Sequence, residues 1–95
     1  MDANELLPIG TIVLLKGANK RIMVTGFLFV DILQNKNYDY CGCAYPEGMT
    51  TKENVITFNH NQIDSIYHIG YSDKVEKNFK ESLNKFFEDN KQNQS

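Results

Sequence analysis

Runs of apolar and β-branched residues alternate with polar turns along most of the chain. The first two runs flank the sequence KGANK, residues 16–20, whose Gly and Asn favour a chain reversal and therefore predict a hairpin. Three further short runs follow, at residues 38–45, 55–58 and 63–69. Five short strands at regular spacing predict a small antiparallel sheet, either strongly curled or closed into an SH3-like barrel.

The second run, residues 21–33, is apolar on both of its faces. Its even positions form an almost wholly apolar set, and its odd positions, Phe27 and Phe29 among them, are mainly apolar as well. Because successive residues of a strand point to opposite sides, both faces require cover, either from a second layer or from a partner. Gly26 in the interior of the run predicts a bulge or a bend.

Beyond Asp73 the apolar residues change to a helical spacing. One stripe of the predicted helix carries Val75, Phe79, Leu83, Phe86 and Phe87. Such a stripe requires an apolar surface, so we expect Phe79 and Phe86 to be core residues packed on the odd face of the second strand. The predicted class is therefore α+β, with about five strands followed by one C-terminal helix.

Polar residues support the same helix. Ser72 or Asp73 is a suitable N-cap, and Asp73 with Glu76 three residues later resembles a capping box. Two i,i+4 pairs stand in the favoured order, Glu76 with Lys80 and Glu81 with Lys85. We expect this polar face simply to be solvated.

The composition is that of one folded domain. Of 95 residues, 41% are hydrophobic, and six Phe and five Tyr are present, whereas a disordered chain is depleted in such residues. We expect a single globular domain over residues 1–88. The polar sequence that closes the chain predicts a disordered tail over residues 89–95.

The charge disfavours nucleic acid as a partner. A net charge of -2 and a pI near 5.6 provide no basic field with which to neutralise phosphates. The N-terminal segment carries acidic residues and only a short apolar patch, which is typical neither of a signal peptide nor of an anchor. No apolar run approaches the ~18 residues of a spanning helix. We therefore expect a cytoplasmic protein with reduced cysteines and no membrane insertion.

Cys41 and Cys43 are the residues that first suggest a metal or redox centre. On an extended strand their Cα atoms would lie about 6.5 to 7 Å apart, at or beyond the usual span of a disulfide. Zinc would require two more ligands, and His60 and His68 do not provide a recognised spacing. We expect the cysteines to serve as small apolar residues, with a zinc or redox site as the alternative.

No catalytic constellation is predicted. Cys43, His60 and Asp64 supply the residue types of a nucleophilic triad, but nothing in their spacing selects them. The glycines are scattered and do not form a phosphate-binding loop. We therefore expect no enzyme activity, no cofactor and no metal.

The tyrosines are the residues of greatest interest for binding, because Tyr is enriched at protein interfaces. A small sheet that uses Tyr at its rim is an equally good explanation for Tyr38 and Tyr40. The candidate partner-binding residues are Phe27, Phe29, Tyr38, Tyr40, Tyr45, Pro46 and Glu47.

Three blocks of the sequence together resemble a small bacterial family of unknown function: LLPIGTIVLLKGANKRIMVTG, YDYCGCAYPEG and FNHNQIDSIYHIGY. Its members are similar in an LLPIG-x-V-V-L-L-K-G opening, a YDY-x-G-C-x-YPEG centre and an F-N-x-x-x-I ending with GY. The resemblance covers residues 6–87. Cys43 stands at the position of the family's customary Cys, whereas Cys41 stands where other small or apolar residues are usual, which weakens a C-x-C site.

The resemblance implies a genomic setting and no catalytic residues. Genes of such proteins tend to lie in type VII secretion clusters of Gram-positive bacteria, beside LXG-type toxins and small helical partner proteins. The implied role is a chaperone or targeting adaptor that binds an LXG-type toxin or its small helical partners. An immunity protein that neutralises a toxin effector domain is the alternative, and the oligomeric state stays open.

Overall fold

Five strands and one long helix follow one another in the order that the sequence predicts. The computed structural model describes residues 3–31 and 33–93, and only the backbone of residues 29–31 and 87–93. The regular elements are β1 (Ile12–Leu15), β2 (Ile22–Asp31), β3 (Lys36–Ala44), β4 (Ile56–Phe58), β5 (Ile63–His68) and α1 (Lys74–Asn93). Three short 3-10 helices, which the sequence did not predict, span Ala3–Glu5, Lys52–Asn54 and His60–Gln62.

The strands form one antiparallel sheet in the order β4-β3-β2-β1-β5. β4 and β5 are its two edges, so the sheet is open. The predicted α+β class is confirmed in its open-sheet form, and the sheet is not closed into a barrel. The sheet lies in one compact unit, Leu7–Tyr71; the described part of a second unit comprises residues 3–6 and 72–93.

The bulge predicted at Gly26 is present. The pairing of β2 with β3 moves from Val24↔Gly42 to Gly26↔Cys41, so Thr25 is an extra residue in β2. A Cβ at Gly26 would lie 2.8 Å from Sγ of Cys41, a distance that real contacts do not reach. The missing side chain therefore lets the two strands stay paired through the bulge.

The core of the sheet unit comes from strands on both sides of this bulge. Its fully buried apolar side chains are Val13, Val24, Tyr40 and Phe58, with Ile22 and Cys43 almost as well covered. The rings of Tyr40 and Phe58 are stacked with centroids 5.1 Å apart, across the pairing of β3 with β4.

The chain crosses itself closely where β1 begins and β5 ends. A Cβ at Gly70 would lie 2.1 Å from the carbonyl oxygen of Ile9, so only glycine fits there. The N–H of Gly70 donates to Oγ1 of the buried Thr11 at 2.9 Å. This close approach fixes the end of β5 against the segment that enters β1.

In the terminal unit, the buried side chain among the described helix residues 74–86 is a polar one. Lys80 is only 5% exposed; its Nζ donates to the carbonyl oxygen of Leu6 at 2.5 Å and lies 2.6 Å from Oε2 of Glu76. The N–H of Ala3 donates to Oδ1 of Asn84 at 2.8 Å. A buried ammonium is tolerated because a carboxylate and a carbonyl oxygen both contact it.

Two expectations for this helix are therefore wrong. Phe79 and Phe86 were expected in the core but are 50% and 58% exposed. The polar face was expected to be solvated, yet Lys80 is buried, because the face spaced at residues 76, 80 and 84 contacts the N-terminal segment.

The predicted helix start is confirmed. Oδ1 of Asp73 accepts the N–H of Glu76 at 3.0 Å, as an N-cap side chain does, and Ser72 donates to Oε1 of Glu76 at 2.8 Å. The predicted pair of Glu76 with Lys80 forms. Among the described side chains, Glu81 and Lys85 form no ion pair.

The division into a domain over residues 1–88 and a tail over residues 89–95 stays a prediction. The helical backbone continues to Asn93 and so enters the predicted tail. Residues 94 and 95 lie outside the described part of the chain.

A glycine comparison tests the crossing at Gly70. We expect Gly70→Ala to destabilise the protein by at least about 3 kcal/mol, because the new Cβ meets backbone atoms that cannot move aside. Gly17→Ala is the matched control: Gly17 has φ +77° but open space around it, so only the conformational cost of about 1 kcal/mol applies. Urea unfolding monitored by circular dichroism measures both; equal losses would contradict the steric explanation.

Glu76 predicts a pH dependence of stability. Burial on its own raises the pKa of this carboxyl, but the contacts with Lys80 and Ser72 outweigh it and hold the pKa below its ordinary value of 4.5. The pKa of Glu76 is thus lower in the folded state than in the unfolded state. The resulting stabilisation is fully present above about pH 4.5 and is lost as the pH falls through the pKa of the folded state.

We therefore expect Glu76→Gln to lower the free energy of unfolding by about 1–3 kcal/mol at pH 7. The difference from wild type should shrink as the pH falls below 4.5 and Glu76 itself becomes protonated. Glu81→Gln, at an exposed helix position, is the control and should leave the profile unchanged. A wild-type and a Glu76→Gln profile that run parallel from pH 7 to pH 3 would contradict this role.

Candidate functional site

The YPEG turn at the end of β3 is held against the start of β2. The N–H of Tyr45 donates to the carbonyl oxygen of Arg21 at 2.9 Å, and the N–H of Gly48 donates to that of Ala44 at 2.8 Å. The Tyr45–Pro46 peptide bond is cis, and Gly48 has φ +77°, a conformation that favours glycine. The turn therefore presents Tyr45, Pro46 and Glu47 at an exposed end of the sheet.

Arg21 lies between two tyrosines. Its guanidinium carbon is 5.4 Å from the ring centroid of Tyr45 and 5.3 Å from that of Tyr67, within the range of cation–π contacts. Tyr45 is 37% exposed, Tyr67 is 57% exposed, and Arg21 is exposed as well. We call these three residues the Arg21 cluster.

Sheet pairing brings the Arg21 cluster together. Ile22 pairs with Ala44 on β3, which places Arg21 next to Tyr45. On the other side, Val13 of β1 pairs with both Ile22 and Ile66, which places Tyr67 of β5 within reach of Arg21. Residues far apart in sequence thus meet at one end of the sheet.

An ion pair accompanies the cluster. Nζ of Lys20 lies 2.6 Å from Oε1 of Glu47, with both side chains about half exposed. The hydrogen bond from Lys20 lowers the pKa of Glu47 below its ordinary value. Since surface ion pairs stabilise little, this pair mainly orients the turn and neutralises the charge of Lys20.

An open depression of about 520 Å³ lies beside the YPEG turn. Its lining includes Glu47 and Gly48 of the turn and Glu53, Asn54 and Ile56 of the following segment. The side chains of Asn54 and Thr50 are hydrogen bonded across this segment. The depression adds carboxylate and amide groups to the surface beside the Arg21 cluster.

Tyr40, by contrast, is an interior residue. It is fully buried, and its hydroxyl accepts the N–H of Leu7 at 2.9 Å and lies 2.7 Å from Nδ1 of His60. The phenol oxygen accepts one hydrogen bond, from the N–H of Leu7. The hydroxyl hydrogen can therefore be donated to Nδ1 of His60. Burial raises the pKa of Tyr40, so the phenol keeps this hydrogen at neutral pH. Tyr40, predicted as a partner-binding residue, therefore lies in the interior of the sheet unit and is not exposed in this structure.

Asp39 completes this interior network. Its Oδ2 accepts the N–H of His60 at 2.8 Å, and its own N–H donates to Oδ1 of Asn59 at 3.1 Å. The YDY and FNH motifs of the sequence thus bind each other. Their polar residues hold β3 to the turn between β4 and β5.

The residues of the hypothetical triad are not brought together. Cys43 is buried on β3, whereas Asp64 lies exposed on β5, and β2 and β1 separate these strands. His60 contacts Tyr40 and Asp39, and Asp64 accepts a hydrogen bond from Ser65 at 3.0 Å.

Both cysteine thiols are free, with Cys43 buried and Cys41 half-buried. Oγ1 of Thr25 donates to the carbonyl oxygen of Cys41 at 3.3 Å and lies 3.9 Å from its Sγ. Within the described residues, no group of three or more His, Cys, Asp or Glu is arranged to hold a metal ion.

The other predicted binding residues occupy the long β2–β3 ribbon. Phe27 pairs with Tyr40, is half-buried, and its ring centroid lies 6.4 Å from that of Tyr40. Tyr38 is half-buried and pairs with Phe29, whose side chain lies outside the described residues.

Arg21 and Tyr67 were not predicted as site residues. Arg21 directly precedes β2 and Tyr67 lies near the end of β5, and no sequence motif links the two residues. Only the register of β1 against both neighbours places them together. Beside Tyr67, edge strand β5 and the segment after it expose Ile66, Ile69 and Tyr71.

These features define a small α+β domain with an exposed surface of tyrosines, an arginine and apolar residues, a composition typical of protein-binding surfaces. The family model "Domain of unknown function (DUF4176)" matches residues 6–79, and the chain belongs to this family. Neither a curated protein nor a solved structure matches the chain. Within residues 3–31 and 33–93, no helix is long and apolar enough to cross a membrane.

The hydrogen bonds of Tyr40 predict that removing its hydroxyl group lowers the stability of the protein. We expect Tyr40→Phe to lower the free energy of unfolding by about 1–3 kcal/mol, because the N–H of Leu7 and Nδ1 of His60 lose their buried partner. Tyr38→Phe, two residues away and half-buried, should change it by less than about 0.5 kcal/mol. Urea unfolding measures both variants, and equal effects would show that the Tyr40 hydroxyl has no special role.

Proposed function

We propose that this protein is a non-enzymatic, cytoplasmic protein-binding accessory of type VII secretion, acting as a chaperone or targeting adaptor for an LXG-type toxin. The observation that carries the proposal is family membership over residues 6–79. The three sequence blocks that resemble the family lie within or overlap this range. That resemblance implies a gene placed among type VII secretion and LXG toxin genes.

The surface of the sheet unit supports protein binding. Its exposed large apolar and aromatic residues include Tyr45, Ile66, Tyr67, Ile69 and Tyr71. Tyr and Arg are the side chains that most often carry binding energy at protein interfaces, because they combine a large contact area with polar ends. Several such residues on β5 and the YPEG turn favour a protein partner.

The use of the polar motif residues supports the same conclusion. Asp39, Tyr40 and His60 are hydrogen bonded to one another or to backbone groups of the sheet unit. They therefore act in holding the fold. Exposed residues of the YPEG turn and of the edge strand β5 are available for a partner.

The partner class follows from the resemblance. LXG-type toxins carry long helical N-terminal regions, and an amphipathic helix binds by placing its apolar face on an apolar surface. A chaperone that covers such a helix before export would need exposed apolar residues of its own, as β5 provides.

Co-purification tests the proposal. The tagged protein is expressed with the N-terminal half, and separately with the C-terminal half, of the LXG-type toxin encoded beside it. We expect retention of the N-terminal half, because the helical region is the part that a chaperone or adaptor covers. A Tyr67→Ala, Tyr71→Ala double variant should retain less than wild type, with Lys36→Ala as the control for a distant exposed residue.

The other outcomes are equally informative. Retention of the C-terminal half alone would support the immunity protein instead. Retention of neither half at micromolar concentrations would contradict toxin binding in either form.

A further inference from the structure

The guanidinium of Arg21 is held between two rings and forms no ion pair with a described side chain. The two rings of the Arg21 cluster contact its guanidinium at 5.4 Å and 5.3 Å. Two ion pairs form among the described residues, Lys20 with Glu47 and Lys80 with Glu76, and Arg21 is in neither. Glu47, the acidic residue of the adjacent turn, is already paired with Lys20.

The geometry leaves the hydrogen-bond donors of Arg21 available. A cation–π contact uses the positive charge of the guanidinium and the π electrons of the ring, not an N–H···O bond. Guanidinium carries five N–H donors in a planar fork that matches the two oxygens of a carboxylate. Two rings that restrict this side chain also reduce the entropy lost when it binds.

The local charge selects an anion. Lys20 and Glu47 are paired with each other, so Glu47 does not offset the charge of Arg21. This positive spot lies on a chain whose net charge is -2. A nucleic acid would require several cations along its phosphates, whereas one arginine flanked by tyrosines is typical of a protein hot spot.

We propose that the Arg21 cluster is the anchor point for an acidic side chain of the protein partner. An Asp or Glu carboxylate accepts two N–H bonds from Arg21, and the rings of Tyr45 and Tyr67 cover the sides of the pair and exclude water. This inference rests on the proposed function for the identity of the partner, while the carboxylate specificity stands on the geometry of the cluster.

The first experiment uses peptides and does not need the toxin. The probes are acetylated, amidated tetraglutamate and tetralysine, titrated into the full-length protein while the Nε–H signal of Arg21 and the ring signals of Tyr45 and Tyr67 are followed by NMR. We expect saturable shifts with tetraglutamate that weaken as salt is added, and none with tetralysine.

Three variants sharpen this test. Arg21→Gln should weaken tetraglutamate binding by about tenfold or more, since it removes both the charge and the fork. Arg21→Lys keeps the charge but not the fork, and should bind more weakly than wild type. Lys36→Gln makes the same charge change as Arg21→Gln at the opposite end of the β2–β3 ribbon and should bind within about twofold of wild type.

Several results would overturn the inference. Tetraglutamate shifts that are unchanged in Arg21→Gln, or that Lys36→Gln reduces equally, would show only a general charge effect. Equal responses to both peptides, or tighter binding of an eight-nucleotide oligothymidine than of tetraglutamate, would also contradict it. Matching melting temperatures for wild type and Arg21→Gln serve as the folding control, as expected for an exposed residue.

A second arm separates this inference from the proposed function. If wild type and Arg21→Gln retain the toxin half equally, the anchor is wrong while the toxin-binding function stands. If no toxin half is retained but tetraglutamate binds at Arg21, the proposed toxin partner is wrong while the carboxylate site stands.

Discussion

The buried hydroxyl of Tyr40 is the contact on which the sheet unit depends. It connects three parts of the chain that are distant in sequence: the entry to the unit at Leu7, the middle of β3, and the turn that carries His60. A buried hydroxyl is tolerated only when it is hydrogen bonded, so these three parts are linked in one arrangement. The stacked ring of Phe58 and the bonds of Asp39 reinforce the same junction.

The interior arrangement also determines what the surface displays. The turn with His60 connects β4 to β5, which lie at opposite edges of the sheet, so fixing this turn helps to place β5 beside β1. The crossing of Gly70 over Ile9 fixes the other end of β5. Tyr67 on this strand can then contact Arg21 across β1. The motif residues therefore help to position an exposed strand that carries none of their chemistry.

The terminal unit buries a charged side chain, where the sheet unit buries an aromatic one. Its helix covers the N-terminal segment with Lys80 and Asn84, whose polar ends satisfy backbone groups of Leu6 and Ala3. The neighbouring Glu76 supplies the opposite charge that makes a buried lysine tolerable. Phe79 and Phe86 of the predicted apolar stripe are exposed, so hydrophobic periodicity alone did not predict the burial of Lys80.

The sequence by itself determined the five strands and the long helix of this protein, because strand alternation, turn residues and the change to helical spacing are local properties. The five strands, the bulge at Gly26 and the N-cap at Asp73 were all predictable for that reason. Tertiary structure alone decided that Tyr40 is buried while Tyr67 is exposed, and that Arg21 lies between Tyr45 and Tyr67. Those outcomes depend on strand order and register, which arise from contacts between distant residues and leave no periodic signal along the chain.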